Sequence, residues 1–206
     1  MCDSSNNSQQ VAAAKGVGDA VGVPVRQWYV AVVGHNTEKA SRDRLLQLGY
    51  DSYVASQEEI HRWGNGRKKK VERVVISSLI FIHATEEERL RIVTLPFIKY
   101  FLTDKARTAN DLGRHPLATI PDSQMQQLRF MLYNADATVD FVTERIRLGD
   151  RIRVIRGSLK GFEGNVTRYK DGSSYVVARI ENLGYAMMQV SAEDVELISE
   201  HEIHHV

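Results

Sequence analysis

Cysteine is almost absent: the 206 residues hold one, Cys2. A lone thiol closes no intramolecular disulfide and builds no thiolate zinc site, which suits a chain kept in a reducing cytosol. Charge of one sign is missing too, because 27 Lys+Arg stand against 26 Asp+Glu for a net +1. That balance excludes a protein that coats nucleic acid by bulk charge, while leaving room for a local basic patch. No apolar run approaches a membrane span, and the N-terminus lacks the charged-then-apolar layout of a signal peptide. The expectation is a soluble, cytoplasmic protein with no membrane partner.

Catalytic signatures are equally scarce. Gly64-Asn65-Gly66-Arg67 lacks the G-x-x-x-x-G-K-[ST] spacing of a phosphate loop, and the scattered serines and histidines suggest no triad. His201-Glu202-Ile203-His204-His205 does match H-E-x-x-H. Zinc-protease chemistry needs both histidines on one helical face, a third ligand and an enclosed cleft. The motif follows the last expected strand and leaves nothing to enclose it, so it reads as a polar tail. The chain is expected to be no enzyme, with no cofactor and no metal site.

What is present begins at Gln27. Residues 1–25 are Ser, Asn, Gln, Ala, Gly and Val with little periodicity and read as a tail. Gln27-Trp28-Tyr29-Val30-Ala31-Val32-Val33 is an aromatic and β-branched run suited to a central strand. Thr37 is placed to cap a helix through Leu48, with Ala40, Leu45 and Leu48 at helical spacing and Gly49 as its stop. Residues 50–56 read as a strand and 60–70 as a polar, basic loop. Residues 71–83 read as a further strand, whose continuous apolar stretch 76–82 implies burial on both faces. Alternation puts Leu79 and Phe81 on one face, Ile80 and Ile82 on the other. Thr85-Glu86-Glu87-Glu88 matches a capping box, opening a helix that carries Leu90 and Val93 inward. Residues 98–103 read as a strand, and Met125, Leu128 and Leu132 form the apolar stripe of a helix opening at Pro121.

The order β-α-β-β-α-β-α predicts an α+β sandwich over 26–134. Residues 135–144 have weak periodicity and read as a linker. An all-β unit follows over 145–199, with 200–206 as a tail. Within it, Ile152 and Val154 alternate into a turn holding Gly157, Gly161 and Gly164, and the chain leaves as another strand through Val166.

The run 149–166 resembles a KOW motif, the strand-loop-strand signature of small β-barrels in transcription and translation factors. Together with Trp28-Tyr29-Val30 opening the first unit, it makes the chain resemble the NusG family of transcription elongation factors from Gln27 to Ser199. The resemblance implies an NGN-like domain followed by a KOW barrel. It implies RNA polymerase binding by the first domain, through an apolar surface at Ile76, Leu79 and Phe81. It implies a second partner on the barrel, a ribosomal protein or a termination factor, met by Leu159 displayed at a loop tip. Where the general factor has an aromatic-Pro-Gly-Tyr stretch, this chain has Ile76-Ser77-Ser78-Leu79. That departure, with the basic loop, favours a specialised antiterminator of the kind serving long polysaccharide operons. The alternatives are a housekeeping elongation and termination factor, or a KOW-type RNA-binding, ribosome-associated protein.

A second candidate surface follows from charge. His61, Arg62, Arg67, Lys68, Lys69, Lys70 and Arg73 cluster around the glycine-bearing loop, with Lys39, Arg42 and Arg44 on the first helix able to extend them. Lys and Arg neutralise phosphates in a salt-dependent, sequence-independent way, and Trp63 could stack on an unpaired base. The competing reading is a solvated hairpin tip. The resemblance implies that the ligand is the exposed non-template DNA strand or nascent RNA.

Overall fold

The computed structural model describes residues 24–198 apart from 63, 65, 67 and 169–171. The tails, Trp63, Arg67 and the H-E-x-x-H motif lie outside the described residues. The chain is built around β1 (Gln27–Val32), which pairs antiparallel with β5 (Leu79–Ala84), β6 (Tyr100–Phe101) and β7 (Thr119–Ile120). β2 (Asp51–Tyr53) pairs with the far side of β5. Side chains alternate across a strand, and both faces are covered here. Trp28, Val30 and Phe81 face one apolar cluster; Tyr29, Ala31, Ile80 and Ile82 face the other. The expected alternation of Phe81 against Ile80 and Ile82 therefore holds, and Leu79 packs at the edge of the Phe81 side.

Three helices cover these faces. α1 (Glu38–Gln47) and α2 (Glu86–Ile92) contribute Leu45 and Ile92 to the second cluster. α3 (Asp122–Asn134) brings Met125, Leu128 and Leu132 to the first, the expected stripe. The capping box on α2 is formed: Glu88 N donates to the Thr85 hydroxyl, and Thr85 N donates to the Glu88 carboxylate. Other helix details differ from expectation. Leu48 and Leu90 point outward at 55% and 54% exposure, and α1 buries Glu38 and Ser41 beside Leu45 instead. Thr37 caps nothing with its hydroxyl, which donates back to the Gly34 carbonyl.

The largest departure lies between residues 56 and 84. The basic stretch expected as a loop is a hairpin, β3 (Ser56–Arg62) paired in register with β4 (Lys68–Val74) as a two-stranded sheet of its own. The strand expected over 71–83 is broken into β4 and β5 by a turn in which Ser78 adopts φ 62°. A side-chain carboxylate from α1 pins that turn: Ser78 N donates to Glu38 Oε1 at 2.6 Å, while Val33 N donates to the Ser78 carbonyl at 3.0 Å. An apolar run hides such a break, because Ile76 is buried whether it stands in a strand or a turn.

The C-terminal strands form one antiparallel sheet in the order β13-β9-β10-β11-β12-β8. They are β8 (Asp140–Val142), β9 (Arg151–Val154), β10 (Glu163–Arg168), β11 (Ser174–Ile180), β12 (Gly184–Val190) and β13 (Val195–Leu197). The all-β character is as expected; the pairing runs from β13 to β8 and does not close into a barrel. β8 comes from the stretch read as a linker. Gly164 sits where β10 meets β11, and a Cβ there would lie 2.6 Å from the Val177 carbonyl oxygen. Backbone cannot retreat from that contact without breaking the ladder, so Gly164→Ala is expected to cost about 1–3 kcal/mol in urea unfolding.

α3 also touches the C-terminal sheet. Glu181 N donates to Gln124 Oε1 at 2.7 Å, Gln127 Nε2 donates to the Glu163 carbonyl at 3.2 Å, and the Phe130 and Phe162 rings lie 6.2 Å apart. The first apolar cluster is continuous across this seam, running from Trp28 through Leu128 to Phe162 and Met188.

Candidate functional site

Two surfaces carry the residues singled out above. The first is the hairpin. Lys68, Lys69 and Lys70 are all exposed on β4. Lys70 pairs at 3.0 Å with Glu58, but both side chains are solvated, and such pairs are worth about 0–1 kcal/mol. Lys68 pairs in backbone register with Arg62, and Lys69 with His61.

The cations nearer the body of the protein are committed to carboxylates. Glu72 takes Lys39 at 3.2 Å and Arg42 at 3.4 Å, and it accepts the Ser56 hydroxyl. Partial burial pushes the Glu72 carboxyl up, yet the Ser56 and Lys39 hydrogen bonds outweigh it and hold the group below the ordinary carboxylate range. Arg42 also meets Asp43 at 2.9 Å, and Arg73 pairs with Glu59. Lys39, Arg42, Lys70 and Arg73 therefore gather around Glu58, Glu59 and Glu72, leaving Lys68 and Lys69 as the hairpin's cations with no ion pair among the described residues. Arg44 is not brought to this surface: its guanidinium lies 5.5 Å from the Phe97 ring centre, on the second cluster. The acidic partners are the part that charge counting missed, although Glu58-Glu59 and Glu72 flank the basic run in sequence.

The second surface is the apolar one. Ile76 and Phe81 are buried within the first cluster, Phe81 at 0% exposure, and Leu79 is half-buried against it. Leu159 was expected at an exposed loop tip and is instead 1% exposed, packed in that same cluster. An apolar side chain loses less to water there than at a tip, which is the physical reason for the difference. Three apolar groups that reach solvent, Ile60, Phe130 and Tyr133, line an open groove of about 1340 Å³ between the hairpin and the end of α3. Its inner wall holds Tyr53, whose hydroxyl burial pushes up to about 12, with the Arg129 guanidinium 5.1 Å from the ring centre. Sequence periodicity gave no sign of this groove, because its walls come from β2, β3, β4 and α3 together.

No group of three or more His, Cys, Asp or Glu placed to hold a metal occurs among the described residues, and none of their helices is long and apolar enough to cross a membrane.

A family model described as "Transcription termination factor nusG" matches residues 26–129, from β1 through the hairpin into the first turns of α3. The class this match defines is that of a transcription factor. The chain belongs to the NusG family. No curated protein matches it. Among solved structures, NusG of Thermotoga maritima is similar at 15% identity over 85% of this chain and 98% of that one, with a TM-score of 0.43. A chain of the MjSpt4:Spt5 complex is similar at 15% identity over 84% and 97%, with a TM-score of 0.28.

Proposed function

We propose that this protein is an elongation factor that binds RNA polymerase through its N-terminal unit and promotes processive, antiterminated transcription of particular long operons. The observation that carries this reading is the family match over residues 26–129. The action is binding, not catalysis. Ile76, Leu79 and Phe81 form the polymerase-facing apolar surface, of which Leu79 is the accessible member and the other two are its backing. Lys68 and Lys69, with Arg62, Trp63, Arg67 and Lys70, hold the exposed non-template DNA strand or nascent RNA by neutralising phosphates. The C-terminal sheet acts as a KOW unit that recruits a ribosomal protein or termination factor. With Leu159 buried, that recruitment uses other residues or follows its release. The protein works in the cytoplasm.

Single-round transcription by the cognate polymerase through a long leader and terminator tests this. Added protein is expected to increase read-through, and Leu79→Asp, checked for an intact fold by circular dichroism, is expected to abolish the gain. Enhanced termination would replace this reading with that of a general elongation and termination factor. Absence of polymerase binding would leave an RNA-binding or ribosome-associated protein.

A further inference from the structure

Gln57 is 4% exposed although polar, and it has a task that the polymerase reading does not use. Its Nε2 donates to the Ala137 carbonyl at 2.6 Å, and its Oε1 accepts from Val139 N at 3.0 Å. The amide side chain thus meets the backbone of residues 137–139 as a neighbouring strand would. Arg73 stands directly opposite Gln57 in the hairpin register. Its Nη2 donates to the Val139 carbonyl at 2.9 Å, and its Nε to the Glu59 carboxylate. A guanidinium is a planar fork, so holding one prong fixes the other. Three hydrogen bonds therefore tie the hairpin to residues 137–139. The next residue, Asp140, already belongs to β8 and pairs with Met187 of β12.

The hairpin pairs with no third strand among the described residues. A two-stranded hairpin is marginal by itself, and its direction must come from something it leans on. Here that support comes from α1, through Lys39 and Arg42 on Glu72, and from the chain entering the C-terminal sheet.

We propose that Gln57 and Arg73 are positioning residues: they hold the cationic hairpin against residues 137–139, so that phosphate binding by Lys68 and Lys69 depends on the chain segment leading into the C-terminal sheet. The proposal rests on the hairpin being a nucleic-acid surface. Arg73, one of the cations counted toward that surface, acts on the hairpin's direction and not on a phosphate. An unanchored hairpin must be ordered when ligand arrives, and that ordering is subtracted from affinity.

Salt dependence separates the two roles. The slope of log affinity against log salt reports the number of phosphates neutralised, about 0.7 per contact on a single strand. The probe is an oligothymidylate of about 20 nucleotides, longer than one binding site, added to the full chain. Lys68→Ala with Lys69→Ala is expected to flatten the slope by about 1.4. Gln57→Leu and Arg73→Met are expected to weaken binding about three- to tenfold with the slope unchanged, as a lost preorganisation does. Hydrogen exchange at the Val139 amide is expected to quicken at least about tenfold in Gln57→Leu, as loss of its acceptor requires.

A flatter slope in Arg73→Met would make Arg73 a phosphate contact and overturn the proposal. So would wild-type affinity in a Gln57→Leu chain whose Val139 amide is deprotected. If Gln57→Leu also deprotects β1, its loss is global and Arg73→Met carries the test. If the wild-type chain binds no oligothymidylate, the nucleic-acid reading fails; faster exchange of β4 amides in Gln57→Leu would still support the anchoring, and unchanged exchange would overturn it.

Discussion

Phe81→Ala is expected to lower stability by about 3–5 kcal/mol, measured as a shift in urea unfolding followed by circular dichroism. The ring is at 0% exposure in the middle of β5, opposite Val30, with the Tyr53 ring 6.3 Å away. Removing it leaves a void walled by the sheet on one side and α3 on the other, and neither can close over it without losing its own contacts. The cluster it belongs to continues across α3 into the C-terminal sheet, so both ends of the protein are expected to unfold at a lower urea concentration in a single transition. Any loss of polymerase binding in this variant should then follow the unfolded fraction. Lost binding with a stability change below about 1 kcal/mol would mean that Phe81 touches polymerase directly and is not backing.

Glu38→Ala is the second large effect, expected at about 1.5–3 kcal/mol because it removes a buried, charged acceptor from a half-buried donor. Glu38 is 2% exposed and receives the Ser78 amide at the point where β4 turns into β5. Burial pushes its carboxyl up; the backbone amides of Ser78, Glu38 and Asn36 together outweigh burial and hold it below its ordinary 4.5. A lowered folded value means that this stabilisation is complete above 4.5 and fades as pH falls through the folded value. The gap in urea midpoint between the wild type and Glu38→Gln should therefore be widest near neutrality and shrink in acid. A gap that stays constant with pH would show that the carboxylate charge contributes nothing to the turn. Since Leu79 is the next residue after Ser78, Glu38→Ala is also expected to weaken polymerase binding more than its stability loss alone accounts for.

Much of the fold could be read from residue order because the relevant signals are local. β1 announces itself by aromatic and β-branched residues, the α2 capping box by its four-residue spacing, and α3 by its stripe of Met125, Leu128 and Leu132. The failures share a cause: each depends on a partner that the local residue pattern does not reveal. β3 and the first half of β4 are mostly polar, so they lack the alternation that marks a half-buried strand, and their mutual pairing makes them strands. The break at Ser78 is held by Glu38, forty residues earlier in the chain. Leu159 looks like an exposed tip until the first apolar cluster is assembled around it. At the candidate surfaces the positive charges were legible, but not their neutralisation, because Lys39 and Arg42 meet Glu72 only after α1 packs beside the hairpin.

The N-terminal sheet ends at β2, three residues long, on one side and has two-residue β6 and β7 along the other. Such short margins offer another chain little backbone to pair with. The long open strands in this half of the protein are β3 and β4, and β4 begins with three consecutive lysines. Bringing two copies of it together edge to edge would stack like charges at the spacing of neighbouring strands. The lysines proposed to hold a phosphate chain would thus also keep the hairpin from templating aggregation, and apolar replacements there would remove that protection.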